Sequence, residues 1–265
     1  MAAATEAAPV LLREDKGRIA TLTLNRPQQF NALSEELLGE LQRELDALAR
    51  TPAIRVVVLA AAGRAFCAGH DLREMRSRPE EPYYRDLFAR CARMMQSILR
   101  LPQPVIARVH GVATAAGCQL VATCDLAVAA RSARFATSGI NLGLFCATPS
   151  VAVSRNLPRK QAFRMLFDGE FQDATTAQQL GLVNQVVDPA QLDAEVAALA
   201  ETLAEKPAAA LRIGKEMFYR QLALPLPEAY AFAGDVMAAN MMEADAVEGI
   251  DAFLEKRDPS WKHGP

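Results

Sequence analysis

Two short runs of small residues are where this sequence can do chemistry. In RAFCAGHDLREM (64–75), Ala68-Gly69-His70 precedes the acidic, helix-like Asp71-Leu72-Arg73-Glu74. In HGVATAAGCQLVATCD (110–125), Ala115-Ala116-Gly117 follows the hydrophobic strand Val105–Val109 and starts an apolar segment running to Val121. Peptide N–H groups at helix starts have no intrahelical partner and carry partial positive charge. Each turn can aim one such N–H at an acyl oxygen, and two converging donors make an oxyanion hole.

Such turns need strands and helices to hold them. Ile19 to Leu24 alternates and is rich in β-formers, and Asn25-Arg26-Pro27 stops it. Ser34 can cap a helix in which Leu37, Leu38, Leu41, Leu45 and Leu48 recur every three or four residues, with Glu35 and Glu36 in its first turn. Arg55 to Leu59 is a buried strand leading into the first turn, and Val105–Val109 and Leu126–Ala129 flank the second. Tyr84, Leu87, Phe88, Cys91, Met94, Met95 and Ile98 mark another amphipathic helix before Pro102. Its sulfur-rich stripe fits core packing, with the lining of an acyl tunnel as the alternative. This alternation implies an α/β fold. Beyond about residue 200 only helices are expected, one carrying Leu211, Lys215, Met217 and Phe218, the last carrying Ala246, Ile250, Phe253 and Leu254. Apolar faces this rich on short terminal helices need a partner surface.

GRAFCAGHDL, HGVATAAGCQLVATCD, RFATSGINLGL and EGIDAFLEKRDPSW occur in this order, and through them the chain resembles the enoyl-CoA hydratase/isomerase (crotonase) superfamily from roughly residue 18 to the C-terminus. The resemblance implies a spiral of ββα units over residues 1–200 that binds acyl-CoA. It also implies a C-terminal helical region, 201–265, that builds a homotrimer or a dimer of trimers. Coenzyme A would enter as part of the substrate, with no cofactor held tightly.

Carried onto this chain, the resemblance places the oxyanion N–H groups at His70, after the glycine of CAGHDL, and at Ala116, three residues before Gln119. Many family members have glycine at the Ala116 position; alanine supplies the same N–H if its φ is negative or the strain is tolerated. The His70 imidazole titrates near neutrality, but the motif requires only its backbone. Its side chain as spacer and as substrate contact both stay open. The positions implied for coenzyme A are Arg26, Arg64, Ala68, Arg73, Phe253 and Lys256. Arg73 and Lys256 match phosphate contacts, Lys256 reaching a neighbouring subunit, and Phe253 matches an aromatic near the nucleotide or acyl chain. Solvated surface charge is the alternative for the cations.

What is missing bears on mechanism. Hydratases of the family carry two glutamates, and here those positions are Gln119 and Gly139. An amide can orient water but cannot take its proton near neutral pH, and glycine does neither. No carboxylate occurs from Arg131 to Lys160. Cys146 is the strong potential nucleophile of that stretch, able to attack a thioester or take a proton if positive charge lowered its pKa. No His or Lys lies near it in sequence. Cys118 and Asp125 fit structural roles, and Asp71 fits a helix-start carboxylate. The expectation is an acyl-CoA-binding protein that polarises a thioester carbonyl without being an ordinary hydratase. A non-catalytic acyl-CoA sensor or scaffold is the alternative.

Composition sets outer limits. The 265 residues, 51% hydrophobic and 23% charged, suit a soluble globular protein with one large-cored domain or a main domain with an appendage. A net charge of −2, without a basic stripe or interleaved aromatics, gives no footing for nucleic acid. No apolar run approaches a membrane span, and the first residues lack a secretory pattern. Five cysteines without C-x-x-C spacing and three histidines offer no metal cluster. Reduced thiols and a cytoplasmic location are expected.

Overall fold

The computed structural model describes residues 8–261 and builds them on two sheets. The larger has six strands in the order β1 (Leu11–Lys16), β2 (Ile19–Leu24), β3 (Val56–Ala61), β5 (Val105–Val109), β7 (Leu126–Ala130), β10 (Gln185–Val187). β1 runs antiparallel to β2, and the remaining pairs are parallel. In the smaller sheet β4 (Ala65–Cys67), β6 (Val112–Thr114) and β8 (Arg134–Ala136) are parallel, and β9 (Gln172–Asp173) is antiparallel to β8.

Each of the pairs β3–β4, β5–β6 and β7–β8 gives one strand to each sheet, so the chain advances as a spiral. Helices close the turns: α2 (Leu72–Ser77) and α3 (Glu81–Arg100) after β4, α4 (Ala116–Thr123) after β6, α5 (Ala147–Asn156) and α6 (Arg159–Asp168) after β8, α7 (Ala174–Gln179) after β9. This is the α/β spiral of ββα units that the family resemblance implies. α1 (Glu35–Leu48) joins β2 to β3, α8 (Leu192–Ala204) follows β10, and α9 (Ala208–Gln221), α10 (Leu226–Met241) and α11 (Ala244–Glu255) end the described chain.

Strand alternation assigns the two faces of the large sheet. Leu22, Leu24, Val57, Leu59, Val109 and Ala129 point into the main core beneath α1, α3 and α4. Val56, Val58, Ile106 and Val128 point the other way, against Leu192, Val196 and Ala200 of α8. With both faces covered, β3 is buried at every position, which explains its unbroken VVVLAA. Ser34 caps α1, its hydroxyl accepting from the Leu37 N–H at 3.2 Å, and all five predicted leucines are buried. Met94 and Met95 lie in the core, so the sulfur stripe of α3 is packing.

The terminal helices are tied to this body by one polar knot. Lys215 of α9, 9% exposed, donates from Nζ to the carbonyls of Ile98 (2.8 Å) and Gln103 (2.9 Å) and to Asp125 Oδ2 (2.6 Å). Tyr219 adds a bond to Asp125 Oδ1 at 2.7 Å, and the Val105 N–H also donates to Oδ2 at 2.6 Å. Elsewhere these helices leave a broad apolar surface open, including Leu226, Tyr230, Met242, Phe253 and Leu254. Among the described residues no helix is long and apolar enough to cross a membrane.

Candidate active site

Because β4, β6 and β8 lie side by side and run parallel, their carboxyl ends deliver three segments to one place: Ala68-Gly69-His70, Ala115-Ala116, and Ser138-Gly139. The ladder continues one step past the strands, the Ala115 N–H donating to the Ala136 carbonyl at 3.0 Å. The Thr114 and Ser138 hydroxyls, 2.7 Å apart, join the second and third strand ends.

The loop before α1 clamps the first turn. The Ala68 N–H donates to the Phe30 carbonyl (3.0 Å), the Leu33 N–H to the Gly69 carbonyl (2.7 Å), and the Asp71 N–H to the Leu33 carbonyl (3.2 Å). In this bridge His70 faces its own N–H away from Leu33. Asp71 caps α2, accepting from the N–H groups of Arg73 and Glu74, and also receives Arg26 at 3.0 Å. A second Arg26 donor, Nη1, goes to the Ala32 carbonyl at 2.6 Å. Beneath the loop, fully buried Asn31 accepts the Arg26 N–H and donates to the Ala62 and Ala65 carbonyls, each bond between 2.8 and 2.9 Å.

Ala116 is the first residue of α4, a helix start without a capping side chain. The strain anticipated at Ala116 falls on its neighbour, since Ala115 has φ 51° and ψ −120°. A non-glycine residue held there costs on the order of 1–3 kcal/mol and persists only where its surroundings fix it. Among the described residues, neither the His70 nor the Ala116 N–H has a protein acceptor. The turns abut: a Cβ placed on Gly69 would lie 2.9 Å from Ala115 Cβ and 3.3 Å from Ala116 N. At φ +95°, glycine keeps that space open.

A cavity of about 220 Å³ opens in front of these donors. Ala68, His70, Leu72, Met75 and Phe88 wall one side; Ala116, Gly139, Leu144, Phe145 and Cys146 wall the other. Among the described residues, no Asp, Glu, Lys or Arg lines it. A larger cavity of about 390 Å³, between the end of α1 and α9 and α11, has Arg50, Arg55, Arg212, Glu243 and Asp245 on its walls and none of the turn residues.

The side chains proposed for chemistry fall differently. Burial holds the His70 imidazole neutral, lowering its pKa to about 4. Burial also pushes the Cys146 thiol up, although it sits at the start of α5. Gln119 is buried, its Oε1 has no partner among the described residues, and it is not part of the cavity wall. Of the cations, Arg64 lies over the Phe30 ring at 4.3 Å, and Arg73 is exposed at the start of α2 beside the turn. Phe253 is 82% exposed, and Lys256 closes α11 in a left-handed conformation; neither reaches the cavity within one chain. Ser138 and Asn31 escaped the sequence reading, and Lys215 was placed there on its helix without a role. A lysine among apolar residues on one helix was the signal available for the last.

The sequence model of the enoyl-CoA hydratase/isomerase family matches residues 14–264. The chain is 42% identical over 255 residues to the mitochondrial enoyl-CoA hydratase domain-containing protein 3 of Xenopus laevis, covering 96% of this chain and 87% of that protein. Among solved structures, an enoyl-CoA hydratase of Mycobacterium smegmatis superposes with a TM-score of 0.94 at 59% identity, covering 96% of this chain and 99% of that one. The human enoyl-CoA hydratase domain-containing protein 3 gives 0.92 at 40% identity, covering 95% and 100%. The Xenopus protein is named mitochondrial, which corrects the expectation of a cytoplasmic chain. That expectation rested on reduced thiols, and a reducing mitochondrial interior keeps thiols reduced as well, so cysteine usage does not separate the compartments.

Proposed function

The chain belongs to the enoyl-CoA hydratase/isomerase family, and we propose that it binds an acyl-CoA with the thioester oxygen between the N–H groups of His70 and Ala116. The observation that carries this reading is the pair of unpaired donors on abutting turns, with Gly69 leaving the approach open. Two backbone dipoles fixed in an apolar cavity would stabilise an enolate-like charge on that oxygen without reorganising. Coenzyme A is the handle of the substrate. Arg73 and Arg64 flank the first turn on the chain's own side, and Lys256 and Phe253 would come from a neighbouring copy in a trimer or dimer of trimers. The open apolar surface of α9 to α11 supports such an assembly.

Ordinary hydration needs a base for the water and an acid for the α carbon. Among the described residues the cavity wall supplies no carboxylate, Gln119 cannot accept a proton, and burial holds Cys146 as a neutral thiol. Each positioned acid or base contributes roughly 10²–10⁴-fold. Crotonyl-CoA hydration should therefore run at least about 10²-fold below that of a two-glutamate hydratase, while acyl-CoA still binds. A wild-type rate equal to such a hydratase would refute the reading. The carboxylate-free wall also favours a second reading, a non-catalytic acyl-CoA sensor or scaffold. Turnover of a panel of acyl-CoAs, set beside affinity for the same panel, separates the two.

A further inference from the structure

The cavity of about 390 Å³ lies where the terminal helices meet the body, and arginines stand on its wall. Arg50 and Arg55 come from the segment between α1 and β3, Arg212 from α9. The Arg50 side chain has no partner among the described residues, and Arg212 meets Glu243 only at 3.8 Å, beyond hydrogen-bond reach. Arg55 is 6% exposed, and burial, reinforced by the charge of Arg18, lowers its pKa despite the attraction of Asp245. Both α9 and α11 start at this wall, at Ala208 and Ala244, without a capping side chain. Among the described residues the N–H groups of Ala208, Ala209, Ala244 and Asp245 have no acceptor.

Charge narrows what such a wall takes. Three guanidinium groups against the carboxylates of Glu243 and Asp245 leave an excess of one positive charge. Each helix start adds roughly half a charge, which brings the wall to about +2. A phosphate monoester matches it, carrying about −1.5 to −2 near pH 7 and three acceptor oxygens. Arginine forks and open helix N–H groups are the donors such oxygens use. The volume falls in the range of small-molecule sites, about 300–1,000 Å³, so a bare ion would leave much of it empty. Ala49, Pro52, Ile54, Pro102 and Leu211 supply apolar wall for a compact, uncharged body.

We propose that this cavity binds a phosphate monoester with a compact apolar body, its phosphoryl oxygens meeting Arg50, Arg212 and the starts of α9 and α11. The site shares no lining residue with the thioester cavity, so the proposal stands apart from that reading. The ligand also gains a structural effect. Gln103 lies on the same wall and its carbonyl accepts from Lys215, so a ligand spanning the end of α1 and the two helix starts joins the knot in holding the terminal helices to the body.

Titration calorimetry of the full chain with phenyl phosphate and with inorganic phosphate, at constant ionic strength in chloride, tests it. Phenyl phosphate should bind saturably at one site per chain, about tenfold more tightly than inorganic phosphate, because its ring covers apolar wall. Arg50→Gln and Arg212→Gln should each weaken it about tenfold, the scale of one charge-assisted hydrogen bond. Arg155→Gln, at an exposed position of α5 outside the cavity, should leave the affinity unchanged. Phenyl phosphate should also raise the wild-type Tm, and the rise should vanish when both arginines are replaced. No saturable binding, equal affinity for the two phosphates, binding that survives the double replacement, or an equal loss in Arg155→Gln would overturn the proposal. Should the double variant fail to fold, Arg50→Gln decides alone, since Arg50 is exposed and an unchanged affinity there refutes the site.

Discussion

Backbone closes around Gly139, the position at which the family resemblance implies a second glutamate in hydratases. A Cβ on Gly139 would lie 2.6 Å from the Leu144 carbonyl oxygen and 2.8 Å from Cys146 Sγ. The thiol could rotate away, but the carbonyl could not. Its residue is fixed by the Leu144 N–H donating to the Gly139 carbonyl at 3.0 Å, and the Gly143 N–H closes the same loop on Ile140 at 3.0 Å. Gly139 is not at positive φ, so the obstacle is steric. Overpacking of this kind costs about 1–3 kcal/mol. At ~2–4 °C per kcal/mol for a chain near this size, Gly139→Ala should lower Tm by roughly 2–12 °C. Gly39→Ala is the control: it lies within α1, a Cβ there meets nothing within 4 Å, and the exchange should stabilise by about 0.5–1 kcal/mol. Differential scanning calorimetry of both variants beside the wild type reads the contrast, and a Gly139→Ala protein as stable as the wild type would refute the packing argument. The same closure means that adding Gly139→Glu to Gln119→Glu should not raise crotonyl-CoA hydration above that of Gln119→Glu alone.

Three other expectations follow from the structure. The folded chain keeps His70 neutral down to about pH 4, whereas the unfolded chain protonates it near its ordinary 6.5. Its contribution to stability is therefore complete above pH 6.5 and disappears as the pH falls from there to about 4, so His70→Leu should flatten the fall of Tm over that window; identical slopes would contradict the burial. Lys215→Met should destabilise by about 3–5 kcal/mol, because it strands the Asp125 carboxylate, and combining it with Asp125→Asn should cost less than the sum of the two; additive losses by calorimetry would mean that the pair is not coupled. Light scattering should give three or six times the 28.7 kDa protomer, and a stable monomer at micromolar concentration would remove the subunit contact assigned to Lys256.

Much of the scaffold was legible where periodicity and caps agree. The Ser34 cap and its five leucines, the buried strand after Arg55, and the helical stretch beyond residue 200 all stand as the sequence indicated. β1 was not legible, because LLREDK has the composition of a solvent-facing edge and gains its strand identity only by pairing with β2. The three-residue strands β4, β6 and β8 are too short to show a period, yet their side-by-side order brings the two turns together. The turns themselves were found through small residues and family order. Arg26 shows the limit of that route: the sequence offers a cation, whereas in the fold its guanidinium is bonded to Asp71 and Ala32. The Asp125, Lys215 and Tyr219 knot joins residues 90 or more apart, a distance over which no local pattern informs.

Acyl-CoA binding in the proposed site depends on one contact, the thioester oxygen between the N–H groups of His70 and Ala116. Isotope-edited infrared spectroscopy of butyryl-CoA labelled with carbon-13 at the carbonyl reads that contact directly. Two fixed donors weaken the C=O bond, so the bound band should move to lower frequency than in free ligand and become narrower as the carbonyl enters one environment. A bound ligand whose carbonyl band stays at the aqueous position, or rises, would show that the two turns do not hold the thioester oxygen.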